Sequence, residues 1–292
     1  MVLSIAFITH NRKAELLNAI NSCLPYAPDD TEYIILDNAS DDGCEEYIKT
    51  ALAVKINLIY EYSETNLGVA GGRNKAFELS HGDYVFFLDD DAEIETEDFF
   101  NKIINKMNEK PDVAAAAVDI KEPETGKSLN SKHRFSVNGD TYVLSFCGCA
   151  HILRGGFYRK FKRLYPQNLK FGSEEFYASA LAWMNGKTVE EFSDLTVNHF
   201  PSVINRCAGD DRKLNFIVNQ YIIKKMTYPI FVLPLSKLAF ELHKLKHGFT
   251  TGEWKKISHT YLKERYRRDE VCRMSLRIWL RLIKMFGIKI II

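Results

Sequence analysis

No stretch of the chain offers eighteen apolar residues without interruption, so a membrane-spanning helix is not expected. The six cysteines (Cys23, Cys44, Cys147, Cys149, Cys207 and Cys272) are scattered, and no C-x2-C unit pairs with a second one. That spacing removes the common zinc frameworks, and a chain of this size does not need disulfides; reduced thiols in a cytoplasmic protein are the expectation. The full P-loop pattern G-x-x-x-x-G-K-[ST] does not occur, and no G-x-G-x-x-G follows the first apolar run, which argues against a P-loop NTPase or a Rossmann oxidoreductase. Met1 to Lys13 has no basic stretch ahead of its apolar run and no small-residue cleavage site, so it reads as a first β-strand and not a signal peptide. A net charge of +1 gives no overall reason to expect nucleic acid as a partner.

What is present is ordinary globular composition, 46% hydrophobic and 26% charged over 292 residues, enough for one large α/β domain and a smaller appendage. The charge is unevenly placed. From Lys237 onward there are 14 lysines and arginines against 5 acidic residues, a surplus of nine that leaves −8 for everything before it. The two ends therefore face different partners.

The chain is organised around Tyr84 to Ile94, YVFFLDDDAEI. Tyr84 to Leu88 is apolar without alternation, as expected of a central strand buried on both faces. It ends in Asp89, Asp90 and Asp91. Ligands of open α/β sheets bind beyond the carboxyl ends of the strands, so the three carboxylates fall at the mouth of a crevice, where their repulsion favours a hard divalent cation such as Mg²⁺ or Mn²⁺. The alternative is an acidic turn that caps the next helix.

Strands are expected over Val2–Ile8, Glu32–Leu36 and Ile56–Tyr60 as well, with helices over Lys13–Cys23 and about Lys75–Leu79. This β-then-α alternation specifies a doubly wound, mostly parallel sheet with helices on both faces. Asn66 to Arg73 reads as a glycine-rich loop in which Gly68, Gly71 and Gly72 admit a ligand to the backbone and Arg73 pairs with a diphosphate. A flexible turn is the alternative. After a helix over Phe99–Met107 and a strand over Val113–Val118, a polar excursion runs from Glu122 to Asp140. Phe171 to Phe176 then places Glu174 and Glu175 at a helix start, and strands at Thr188–Phe192 and Leu195–Val197 lead to His199. Residues 206–292 are expected to form a mainly helical basic extension to a domain over residues 1–205. Lys213–Phe240, apolar but interrupted, suits helices packed on the domain or lying at an interface, and Trp254–Ile292 alternates lysine and arginine with Ile, Leu, Trp279 and Phe286, a pattern suited to solvated basic helix faces or to an anionic membrane surface.

These pieces, in this order, resemble the inverting family 2 glycosyltransferases of the GT-A fold. The resemblance rests on Thr9-His10-Asn11-Arg12, on Leu36 to Gly43, on Asn66 to Asn74, on Leu88 to Asp91, and on Glu174-Glu175 with Gly186 and His199. It implies that Asp37 hydrogen-bonds a pyrimidine, with Thr9, Asn11 and Arg12 in the same donor pocket. Asn66, Gly68 and Arg73 then border the nucleotide and its diphosphate, Asp89 and Asp90 meet the donor, and Asp91, Asp89 and His199 hold Mn²⁺ or Mg²⁺. Glu174-Glu175 stands where the family has Glu-Asp. Glu175 takes the place of the catalytic base, one methylene longer, and Glu174 remains open as the other choice. The implied activity is transfer of a sugar from a UDP- or dTDP-sugar to a glycan or lipid-linked glycan acceptor in surface polysaccharide synthesis. The expected location is cytoplasmic, with peripheral contact on the inner membrane face. Rivals are a nucleotidyltransferase acting on a sugar phosphate, whose glycine-rich loop with arginine and lysine after the first strand is missing from Thr9–Lys13, and a non-catalytic nucleotide-binding module.

Overall fold

The apolar runs become the strands of one sheet. In the computed structural model, which describes residues 2–52, 56–169, 172–202 and 209–291, the first half of the chain gives β1 (Leu3–Thr9), α1 (Lys13–Cys23), β2 (Glu32–Asp37), α2 (Cys44–Ala51), β3 (Asn57–Tyr62), α3 (Gly68–Leu79), β4 (Tyr84–Leu88), β5 (Ala92–Ile94) and α4 (Phe99–Glu109). Then come β6 (Val113–Glu122), β7 (Lys127–Ser128), β8 (Arg134–Val137), β9 (Asp140–Val143), β10 (Ala150–Arg154), α5 (Gly155–Tyr158), α6 (Glu174–Met184) and β11 (Thr188–His199). The extension supplies α7 (Gly209–Thr227), α8 (Leu233–Lys246), α9 (Gly252–Arg265) and α10 (Leu276–Phe286). Phe171, Cys207, Ile292 and the expected 205/206 boundary fall outside the described residues.

The sheet runs β3-β2-β1-β4-β10-β6-β11-β9-β8. β3, β2, β1 and β4 are parallel, as is the β6–β11 pair, which meets the expectation of a mostly parallel central sheet with helices on both faces. β10 is inserted antiparallel between β4 and β6. One face packs α1, α2 and α4, and the other packs α3, α5, α6 and the helices of the extension. Phe86 anchors the first face through edge-to-face contacts with Phe99 and Phe100 at 5.3 and 5.4 Å, pairs that add about 1 kcal/mol each beyond the area they bury.

Two expectations are corrected. The glycine-rich segment is the first two turns of α3 and not a loop. Its glycines serve packing: a Cβ on Gly72 would lie 3.0 Å from Ile8 and 3.1 Å from Leu36, so the absent side chain lets the helix close on β1 and β2. Thr188–Phe192 and Leu195–Val197 form a single strand, because the register against β6 shifts between Phe192 and Thr196 and absorbs the intervening residues as a bulge.

Candidate active site

The carboxyl ends of β1, β2 and β4 converge on a cleft of about 1650 Å³ whose far wall is built from α6, α7 and α9. The aspartates do not cap a helix. Ala92–Ile94 leaves them directly as β5, which pairs antiparallel with the end of β11 and sets Ala92 opposite His199. Residues a hundred positions apart are thereby joined on one two-stranded ribbon. Asp91 accepts from the Ser202 backbone N–H at 3.0 Å and lies 3.4 Å from His199 Nε2. Burial would raise its carboxyl, but the bonds from His199 and Ser202 outweigh that and hold it below its ordinary value. The same pairing, against the opposing effect of burial, holds the His199 imidazole above its ordinary value.

Asp90 is 4% exposed, and its carboxyl is pushed up to about 7 by burial against the pull of the Arg12 guanidinium, 3.0 Å away. Asp89 points the other way, into the cleft, and accepts from Arg73 Nη2 at 2.9 Å. Ligand atoms of Asp89, Cys149 and His199 lie within 4.8 Å of one another. An oxygen, a sulfur and an imidazole nitrogen at that mutual distance fit a divalent cation. Cys149 gave no signal in the sequence. It reaches the cleft because β10 pairs with β4, with the Asp89 N–H donating to the Cys149 carbonyl at 2.8 Å.

Arg73 is the centre of the arrangement. Almost completely buried, it donates from Nη1 to Glu174 at 3.0 Å and Glu175 at 3.3 Å, and from Nη2 to Asp89 and to the Gly148 carbonyl at 2.8 Å. Burial alone would lower its pKa, and the three carboxylates reverse the sign. Burial raises both glutamates in turn, with Arg73 opposing. The two are not equivalent. The Glu174 side chain is 2% exposed and its Oε2 has no hydrogen-bond partner among the described residues, whereas Glu175 reaches the cleft with 15% of its side chain exposed. Gly148 makes this possible, since a Cβ there would lie 2.1 Å from Glu175 Oε1 and 2.5 Å from Arg73 Nη1. The Gly148 carbonyl also meets His151 Nδ1 at 3.1 Å. A carbonyl only accepts, so His151 carries its proton on Nδ1 and takes the Tyr165 hydroxyl, at 3.0 Å, on Nε2. Burial keeps that ring neutral.

Of the residues singled out from sequence, Thr9, Arg12, Asn66, Gly68, Arg73, the three aspartates, Glu174, Glu175 and His199 line this one cleft. Asn11 and Asp37 do not. Asn11, at φ 55°, braces the neighbouring loop, accepting from Asp41 N–H at 2.7 Å and donating its own N–H to Ser40 at 2.9 Å. Asp37 lines a smaller pocket alongside, its carboxylate held by the Tyr60 hydroxyl at 2.5 Å and the Ser40 N–H at 2.8 Å. Asn38, next in sequence, does line the cleft and ties β2 to Leu67 N–H at 2.7 Å.

Residues 4–191 match Glycosyl transferase family 2. An uncharacterized protein of Haemophilus influenzae is 32% identical over 163 residues, 52% of this chain and 87% of that one. A GalNAc(5)-diNAcBac-PP-undecaprenol beta-1,3-glucosyltransferase of Campylobacter jejuni is 27% identical over 189 residues, and the match spans 63% of this chain and 59% of that enzyme. The crystal structure of GalNAc-T7 with UDP, GalNAc and Mn²⁺ superposes with a TM-score of 0.67 at 14% identity, covering 99% of this chain and 57% of the other, a likeness of fold. The family match runs over more than half of the sequence, and the chain belongs to glycosyl transferase family 2.

Proposed function

We propose that the chain is an inverting, metal-dependent transferase that moves a sugar from a UDP- or dTDP-sugar to a glycan or lipid-linked glycan in surface polysaccharide synthesis. The observation that carries this is the bridge made by Arg73, which joins Asp89 at 2.9 Å to Glu175 at 3.3 Å and so couples a cation site to a carboxylate base inside one cleft. The UDP and Mn²⁺ of GalNAc-T7 and the diphosphate-linked acceptor named for the Campylobacter relative support the same donor and acceptor classes.

On this reading, Asp89, Asp91 and His199, with Cys149 beside them, would hold Mn²⁺ or Mg²⁺, which would neutralise charge on the leaving diphosphate. Thr9, Arg12 and Asn66 border the nucleotide, and Asp37 fixes the nucleoside end of the pocket from behind Asn38. Arg73 places Glu175 and adds positive charge near the diphosphate. Glu175 takes the proton from the acceptor hydroxyl as that oxygen attacks the anomeric carbon opposite the leaving group, and a raised carboxyl pKa suits a base that must pass the proton on. A single displacement inverts the anomeric configuration, and no covalent enzyme intermediate forms. Glu174 holds Arg73 from the buried side. The enzyme works in the cytoplasm, in peripheral contact with the inner membrane face that carries its acceptor.

A screen of nucleotide sugars by thermal stabilisation tests the proposal, because a ligand that binds the native state alone raises stability as RT ln(1 + [L]/Kd). UDP- or dTDP-sugars are expected to stabilise the protein with Mn²⁺ present and to lose that effect in chelator or in Asp91→Asn. Transfer that continues undiminished in excess chelator overturns the metal assignment.

A further inference from the structure

Nine of the sixteen exposed large apolar side chains among the described residues lie between Ile230 and Ile288, within the basic extension. They are not scattered there. Leu235, Leu238, Leu242 and Leu245 recur at intervals of three and four along α8 and are between 54% and 63% exposed, while Ser236, Ala239 and Phe240 turn inward, Phe240 stacking on Tyr221 at 4.5 Å. Phe231, 58% exposed and just ahead of α8, meets Trp279 of α10 edge-to-face at 6.0 Å, which brings the start of α8 to α10. The 3₁₀ turn that ends the chain packs against α8 and carries Ile288, 68% exposed. α10 adds exposed Leu276 and Leu280. Scattered exposed leucines are ordinary on a soluble protein; a stripe continued onto a neighbouring helix marks a surface that something covers.

We infer that the outer faces of α8 and α10 dock on an anionic lipid bilayer, with the apolar side chains entering the headgroup boundary. Charge selects this occupant. The two helices carry six lysines and arginines against a single acid, Glu241, and Lys237, Lys246, Arg277, Arg281 and Lys284 are exposed. Two copies of the chain meeting here would oppose like charges, whereas anionic headgroups pair with them. The placement also serves the cleft: His243 of α8 and His247, the residue that follows the helix, line it, so docking on this helix brings the cleft to the bilayer surface. The surface refines the membrane contact proposed above, but its own evidence is independent of any transfer reaction.

Flotation of the full chain with vesicles, without donor or acceptor, tests the inference separately from catalysis. The protein is expected to float with phosphatidylcholine vesicles containing phosphatidylglycerol, and to do so weakly or not at all with phosphatidylcholine alone. Leu238→Glu/Leu242→Glu is expected to lower the bound fraction by about tenfold or more, because both residues lose their apolar insertion and add repulsion. Arg277→Gln/Arg281→Gln is expected to lower binding less and to flatten its dependence on salt. Part of the wild-type binding should survive about 1 M salt, where the Debye length is about 3 Å, since the leucines are not screened. Binding that is indifferent to the leucine pair, or absent for the wild type, overturns the inference. So does a dimer in light scattering that the leucine pair dissolves while no vesicle is bound. Unchanged thermal unfolding of the variants confirms that only the surface has been altered.

Discussion

Arg73 is 3% exposed and Leu245 is 63% exposed, and between them they describe two regions that handle solvent in opposite ways. In the cleft, one guanidinium and a set of carboxylates are withdrawn from water, and each is held by partners at about 3 Å. On α8, large apolar groups are left in water, and none of the described residues covers them. Either arrangement costs stability on its own: a buried charge must be compensated by its partners, and exposed leucines forgo the burial that would repay ordering them. α10 combines both, with Trp279, Leu282 and Phe286 turned into the core while Leu276 and Leu280 stay outside beside its arginines. The difference teaches where the fold is organised for something other than its own stability.

The largest effects should come from disturbing the cleft. Glu175→Gln is expected to lower turnover by roughly 10²- to 10⁴-fold with donor binding nearly intact, the usual contribution of a positioned base. If Glu174→Gln gives the larger loss, the roles of the pair are reversed. Arg73→Met leaves three carboxylates facing one another without their cation and should cost about 3–5 kcal/mol of stability in chemical denaturation. Trp279→Ala should cost a comparable ~3–5 kcal/mol by opening a cavity in the core, which separates α10 from α8.

A smaller, pH-dependent effect is expected at Asp90. Burial raises its folded pKa to about 7, so its contribution to stability is fully present below the ordinary carboxylate value and is lost as pH rises through about 7. Asp90→Asn removes that loss. Relative to the parent, the variant should gain stability between pH 4 and pH 8, on the order of 4 kcal/mol, by denaturation in the presence of chelator. An equal offset at both pH values would show that Asp90 titrates normally. The smallest effect belongs to the lipid-facing surface, where Leu242→Gln should change stability by no more than about 0.5 kcal/mol, against the loss at Trp279.

Much of this was legible before any coordinates. Tyr84–Leu88 is the strand its unbroken apolar run specifies, and β1 and β2 end within a residue of their expected bounds, because local composition decides whether a strand forms. Long-range pairing carries the rest. The three glycines of α3 read as looseness, since Ile8 and Leu36, which require Gly72 to be small, come from other strands. Cys149 and Gly148 enter the cleft through the antiparallel insertion of β10, which no local pattern encodes. Trp279 and Phe286 stand in a basic amphipathic stretch that suited a membrane surface as well as a solvated helix, and they are core, while the leucines of α8, which carried no separate signal, are exposed. An amphipathic pattern gives the period of a helix without saying which face is dry.

The bulge in β11 has a consequence for insertions and deletions. Phe192 pairs with Val118 and Thr196 with Asp119, so Ser193, Asp194 and Leu195 are taken up without a matching step on β6. Beyond it the strand is gripped from both sides, Thr196 to Asn198 against Asp119 to Lys121 and Val197 to His199 against Ile94 to Ala92, so these pairings and not the length of the bulge fix the side on which His199 emerges. The bulge is therefore the place in β11 where a residue can be gained or lost while the imidazole stays beside Asp91.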